Sequence, residues 1–174
     1  PLRIAAGWLF DGSGLTARRA HGLVWAGYLD NARIGGFDLR TMDTGLSPLP
    51  LLIGRARLWF NRPGTDNPGV EPLSGSIESG WNRRALSDVS GVIRGGAVAG
   101  VPVERISFDR ASVAFSDGAC TTASGRVTLV PAVRIAGLEL RNGLSGDLRC
   151  EGRDLIVALA GESGMERLLL TVNG

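Results

Sequence analysis

Few side chains in this chain have the types or spacing that chemistry needs. His21 is the sole histidine, Cys120 and Cys150 are the sole cysteines, and all 19 basic residues are arginine. With no lysine, a Schiff-base enzyme and a Walker-type phosphate loop are both excluded. One histidine and two cysteines without a CxxC pair do not make a zinc site. Gly12-Ser13-Gly14-Leu15-Thr16-Ala17 fits the dinucleotide pattern G-x-G-x-x-A. That pattern needs a helix behind it to aim amides at a pyrophosphate. Arg18 to Trp25 carry no helical apolar stripe, so the segment reads as a hairpin turn. Gly161-Glu162-Ser163-Gly164-Met165 approaches a nucleophile elbow but ends in Met where the pattern needs Gly. It reads as a turn between Leu159 and Leu168. Asp38, Asp43, Asp109 and Asp117 are scattered without an obvious carboxylate partner. No catalytic residue, metal ligand or cofactor-binding residue is therefore expected.

The two cysteines leave two readings open, buried free thiols or a disulfide. Each follows a turn, Ser116-Asp117-Gly118 and Leu144-Ser145-Gly146, which favours the bridge. A bridge closing a loop of about 30 residues is worth roughly 3–4 kcal/mol in the chain-entropy account, and it goes with an oxidising compartment.

The elements that would have to position such groups are almost all strands. Of 174 residues, 44% are hydrophobic and only 6% aromatic, so the core must be aliphatic. The formal net charge of +2 lacks the basic stripe of a nucleic-acid domain. Period-two alternation dominates. It places Ala56, Leu58 and Phe60 on one face, then Leu73, Ile77 and Trp81, then Val127, Leu129, Val133 and Ile135. Leu155, Val157 and Leu159 form another stripe, as do Leu168, Leu170 and Val172. Trp8, Trp25, Trp59 and Trp81 are all expected on strands, as core or edge cover. One buried and one wet face is the mark of an antiparallel sheet.

Glycine with Asp or Asn punctuates these stripes, and Asn61 to Pro72 reads as an exposed loop. The pattern φ-x-Gly-φ-x-φ recurs at Ile34–Leu39, Val98–Val103 and Ile135–Leu140, as a strand, a Gly bend and a new strand. Val101 and Val103 differ in parity from Ile106 and Phe108, which predicts a bulge near Glu104-Arg105. Helix is scarce. Ser47 could cap one turn with Pro48 first and Gly54 after its end. Arg83 to Val89 could hold a second, from the spacing of Leu86 and Val89.

Three stretches, taken in order, resemble one family. They are Gly22-Leu23-Val24-Trp25-Ala26-Gly27, read as a strand leading to a Pro/Leu segment, Pro48 to Gly54; the Gly-x-Cys-x-x-Ala-x-Gly element Gly118–Gly125; and the Ser-Gly-x-φ-x-Cys-x-Gly element Ser145–Gly152. Together they resemble type II secretion system protein N of Gram-negative bacteria, with a more distant likeness to AsmA/TamB-type envelope proteins. The motif residues carried over are Gly22, Trp25, Gly27, Pro48, Leu51, Leu52 and Gly54, in structural roles, beside Cys120 and Cys150. The resemblance implies a non-enzymatic secretion component without cofactors. It would be a periplasmic β domain spanning 1–174, whose inner-membrane anchor is missing from this stretch. Its partners would be other secretion proteins of the inner-membrane platform or the secretin, with no nucleic acid.

The expected fold is all-β. It is a single long antiparallel sheet, twisted and curled into a half-open barrel or roll, with one or two short helical turns. A two-sheet sandwich is the alternative architecture. The alternative function is a lipid-binding or lipid-transfer module holding acyl chains in an apolar β groove.

Overall fold

The computed structural model describes residues 15–16, 18–34, 36–64, 70–98, 100–132 and 143–173. Its first half holds β1 (Leu15–Thr16), β2 (Arg19–Gly22), β3 (Gly27–Ile34), β4 (Phe37–Ser47), the turn of helix α1 (Pro48–Leu51), β5 (Ala56–Arg62), β6 (Leu73–Ser79) and β7 (Arg83–Arg94). Its second half holds β8 (Ala97–Val98), β9 (Val101–Ser116), β10 (Ala119–Pro131), β11 (Leu144–Glu151), β12 (Asp154–Ala160) and β13 (Arg167–Val172).

All ladders are antiparallel, and the strands follow in the order β1-β3-β4-β5-β6-β7-β9-β10-β11-β12-β13, with β2 also on β3 and β8 on β9. The expected single curled sheet is what the chain forms. Short connections explain the order, since each strand turns back on its predecessor. The sheet also meets itself. β4 pairs with β5 along its second half and with β7 through Asp38↔Arg94. Strands β4 to β7 thus make a small closed ring, and β9 to β13 leave it as an open wing.

Two apolar clusters fill the interior. One centres on Leu29, Ala32, Leu39, Met42, Leu73, Val89 and Ala111 inside and beside the ring. The other centres on Val103, Ile106, Leu129, Leu155, Val157 and Leu159 under the wing. Leu148 packs against both and makes the interior continuous.

Bulges supply the curl. The β9–β10 register slips between Val130 and Pro131, which leaves Glu104 as the extra residue where a bulge was expected. A further line of slips crosses β7, β9 and β10, where Asp88 (φ 52), Arg110 (φ 47) and Gly125 (φ 95) take left-handed backbone. Two of the amides freed there find serines on the facing strand. Asp88 N–H donates to Ser112 Oγ at 2.9 Å and Arg110 N–H to Ser90 Oγ at 3.1 Å. A Cβ on Gly125 would run into the Arg110 carbonyl, so the crease is closed to any side chain at that position.

Several expectations are corrected. Arg83 to Val89 is the start of strand β7 and not a helical turn. Trp81 lies past the end of β6 and is 99% exposed, and Ile77 is also exposed. Trp25 sits in the turn between β2 and β3 and not on a strand. Val172 is exposed near the end of β13. As expected, two of the φ-x-Gly-φ-x-φ segments lead one strand into the next, with Ile34 paired to Phe37 and Val98 to Val101. The third, with Trp8, Val133, Ile135 and Gly12-Ser13-Gly14, lies outside the described residues.

Candidate functional site

The predicted motif residues gather at one pole of the sheet. Gly22 pairs with Gly27 and pinches a four-residue turn, Leu23 to Ala26, held by Leu23 N–H to Ala26 O at 3.0 Å and Ala26 N–H to Leu23 O at 3.2 Å. Gly22 has φ +100, so the pinch needs glycine. This turn lies along the end of β4. Leu46 N–H donates to Val24 O at 2.9 Å, and Gly45 leaves room for the Trp25 carbonyl. The chain then enters α1 at Pro48, as expected, although the Ser47 hydroxyl makes no cap hydrogen bond. Gly54 (φ +71) ends the segment against the β6–β7 turn, where Trp81 Nε1 stands 3.5 Å from the place of a Gly54 Cβ.

The result is a set of large apolar side chains aimed at solvent. Leu23, Leu49, Leu52, Ile53 and Trp81 are 70, 76, 83, 68 and 99% exposed, with Trp25 and Leu51 half-exposed beside them. Nothing in burial energetics favours that in an isolated molecule.

The disulfide lies at the same pole. Cys120 and Cys150 are bonded, with Cα atoms 5.5 Å apart. The β10–β11 ladder stops at Arg126↔Asp147, so the strands part above it. The disulfide, together with Cys120 N–H to Arg153 O at 2.8 Å, ties them where ladder bonds have ended. At the split itself Arg126 grips Asp147 through two hydrogen bonds, 2.9 and 3.2 Å. That grip lowers the Asp147 carboxyl below its usual range and raises the Arg126 guanidinium.

The loop expected over Asn61 to Pro72 is corrected at its start, where Asn61 and Arg62 end strand β5 and Arg62 is buried. Arg62 is 5% exposed and sits where β5 and β6 end and β4 meets β7. Its guanidinium donates to Leu39 O at 3.0 Å, Val92 O at 2.6 Å and Glu71 O at 2.9 Å. The three carbonyls come from β4, β7 and the approach to β6, so one side chain closes the ring's seam. Burial lowers the guanidinium below its ordinary value and the Arg40 charge adds to this, while Glu71 and Asp38 oppose it. Glu71 in turn pairs with Arg94 at 3.0 Å.

The remaining candidates scatter. His21 stacks on Tyr28 at the surface, with ring centroids 5.0 Å apart. Ser163 lies in the exposed β12–β13 turn and bonds Glu166, far from His21 on β2. Asp38 accepts the Arg40 amide, Asp117 accepts Asn82 and Asp109 lies 3.6 Å from Arg110. Among the described residues no cluster of three or more His, Cys, Asp or Glu could hold a metal ion, and no helix is long and apolar enough to cross a membrane.

The wing's last strand is the other notable surface. Among the described residues β13 pairs only with β12. Its sequence, Arg-Leu-Leu-Leu-Thr-Val, carries no proline, lysine or bulge to blunt that edge. Leu169 is exposed on its outer face.

Fold and surfaces together define a curled, disulfide-stapled β-sheet protein, open along one edge among the described residues and apolar at one pole. The chain belongs to the type II secretion system (T2SS) protein N family, whose family model matches residues 13–174. Membership makes it a type II secretion component. No curated protein matches it significantly, and no solved structure does.

Proposed function

We propose that this chain is a non-enzymatic part of the type II secretion machine that binds other secretion proteins in the periplasm and assists assembly or stability of the apparatus. The family match over residues 13–174 carries this reading. The disulfide supports an oxidising compartment such as the periplasm of a Gram-negative bacterium, for a protein whose full length is anchored in the inner membrane. The partners belong to the inner-membrane platform or the secretin. Strand β13 supplies the means, since its outer amides and carbonyls, unpaired among the described residues, can add a partner's strand while Leu169 selects it. An acyl-carrying groove gains no support from the described interior, where Val103, Ala111 and Leu159 are packed at 2, 1 and 1% exposure.

A photo-crosslinking residue at Leu169 in secreting cells tests this. Adducts with platform or secretin proteins are expected, and Leu169→Lys should weaken both adducts and export. No adduct, together with normal export by the Lys variant, would refute the edge.

A further inference from the structure

We infer that the apolar pole seats on the surface of an anionic phospholipid bilayer. The inference stands apart from the proposed partner of β13, because a different surface carries it.

The first support is the shape of the feature. Leu23, Leu49, Leu52, Ile53 and Trp81 come from three separate turns and project outward, 68 to 99% exposed. They make a tip of aliphatic side chains with an indole at its margin, the composition that partitions into the headgroup and acyl boundary.

The second support is the backbone. A loop entering a membrane must not carry unsatisfied amides into it. Pro48 and Pro50 have no amide hydrogen. The four amides from Leu52 to Arg55 are bonded inside the turn, Leu52 to Leu49 O at 3.2 Å, Ile53 to Pro50 O at 3.1 Å, Gly54 to Leu51 O at 3.1 Å and Arg55 to Pro50 O at 3.0 Å. The exposed Leu52-Ile53 part of the segment thus has its amides already engaged.

The third support is charge. Arg55, Arg83 and Arg84 surround the base of the tip on the Trp81 side. Arg55 and Arg83 share the single carboxylate of Glu78 at 3.6 and 3.7 Å, and Arg84 is exposed and makes no ion pair among the described residues. The nearby Asp117 keeps its negative charge, accepting only the neutral Asn82 amide at 3.1 Å, while Arg153 donates to its backbone carbonyl at 3.1 Å and adds a further positive charge there. On the other flank Asp43 is exposed and lies opposite Tyr28. An arginine collar under an apolar tip matches lipid phosphates above an acyl layer.

The test uses the oxidised chain and vesicles of phosphatidylethanolamine with phosphatidylglycerol, read by flotation. Co-flotation is expected, weaker on pure phosphatidylcholine and weaker as salt rises. Leu52→Asp and Ile53→Asp should each lower partitioning at least about tenfold. Arg84→Gln should lower it about fivefold on anionic vesicles and leave phosphatidylcholine unaffected. Leu169→Asp, on the β13 edge, should change nothing.

Far-UV circular dichroism and the intact disulfide mass check the folding of each variant. In the unsubstituted protein, brominated acyl chains should quench tryptophan fluorescence, and Trp81→Phe should remove most of that quenching. Failure to float on anionic vesicles would overturn the inference. So would equal binding by the Asp variants, or unquenched fluorescence. Loss of a secretion-protein adduct in the Asp variants without vesicle binding would assign the tip to a protein partner instead. Failure of the Leu169 crosslink would leave this result untouched.

Discussion

Replacing Arg62 should open the seam of the β4–β7 ring. In Arg62→Ala three backbone carbonyls lose their donor, those of Leu39, Val92 and Glu71. The bond to Leu39 O is buried and the other two are partly buried. A hydrogen bond from a charged donor contributes about 1.5–3 kcal/mol net, and three on one side chain do not add fully. Breaking the network should therefore cost about 3–5 kcal/mol, in the range for removing one partner of a buried charged group. Removing the guanidinium also ends its own desolvation, so Arg62→Met, which keeps the stem volume, should lose about 1 kcal/mol less than Ala. Arg62→Lys keeps the charge but not the fork. It can serve one carbonyl well and should still lose about 2 kcal/mol. Urea unfolding with the disulfide intact measures this. With a slope of about 2 kcal/mol per molar, the Ala midpoint should fall by about 2 M at unchanged slope. An Ala variant within about 0.5 kcal/mol of the parent, or a Met variant more stable than it, would refute the assignment.

Reducing the disulfide, or the Cys120→Ser with Cys150→Ser pair, should cost about 3–4 kcal/mol; hydrogen exchange should rise first around Ala119 to Thr122 and Arg149 to Glu151, where the ladder between β10 and β11 has ended. Asp147 should titrate below the ordinary Asp range, because Arg126 holds its charged form. A lowered folded value means that its contribution is present at neutral pH and lost as pH falls through that value. Both groups are exposed, so the effect on stability should be small and screened by salt. Carboxyl NMR should show the shift, and Arg126→Ala should return Asp147 to the ordinary range; an unmoved Asp147 would remove the grip from the account.

Most of the sheet was legible because alternation is a direct print of a half-buried strand. Leu155, Val157 and Leu159 were read as one face, and all three are buried. Bulges mark the limit. Leu86 and Val89 are three apart, a helical spacing, yet both turn inward from a strand because Asp88 adds a residue between them. The same arithmetic at Val103 and Ile106 was read correctly, since the parity change there was visible on both sides. Trp81 was misplaced by carrying the stripe of β6 past Ser79, although Gly80 and Asn82 on either side of it are turn formers. Trp25 was misplaced because Gly22 and Gly27 were taken as positions within a strand, whereas they are the two posts of a turn. Arg62 did leave a signal. It continues the inward parity of Ala56, Leu58 and Phe60, and an arginine at such a place calls for carbonyl acceptors that only tertiary structure supplies. The clustering of the pole residues from distant segments was not legible, because it depends on which strands pair.

The sulfur bridge also imposes an order of events on the wing. Among the described residues strand β13 joins the sheet's ladders through β12 and β11, and β11 is fastened to β10 by a short ladder, the Arg126–Asp147 pair and one covalent bond. A newly made chain still rich in thiols would carry its outermost strand on a loosely hinged flap. Oxidation fixes the flap, so on the reading proposed above the edge of β13 would be ordered only once the bond has formed.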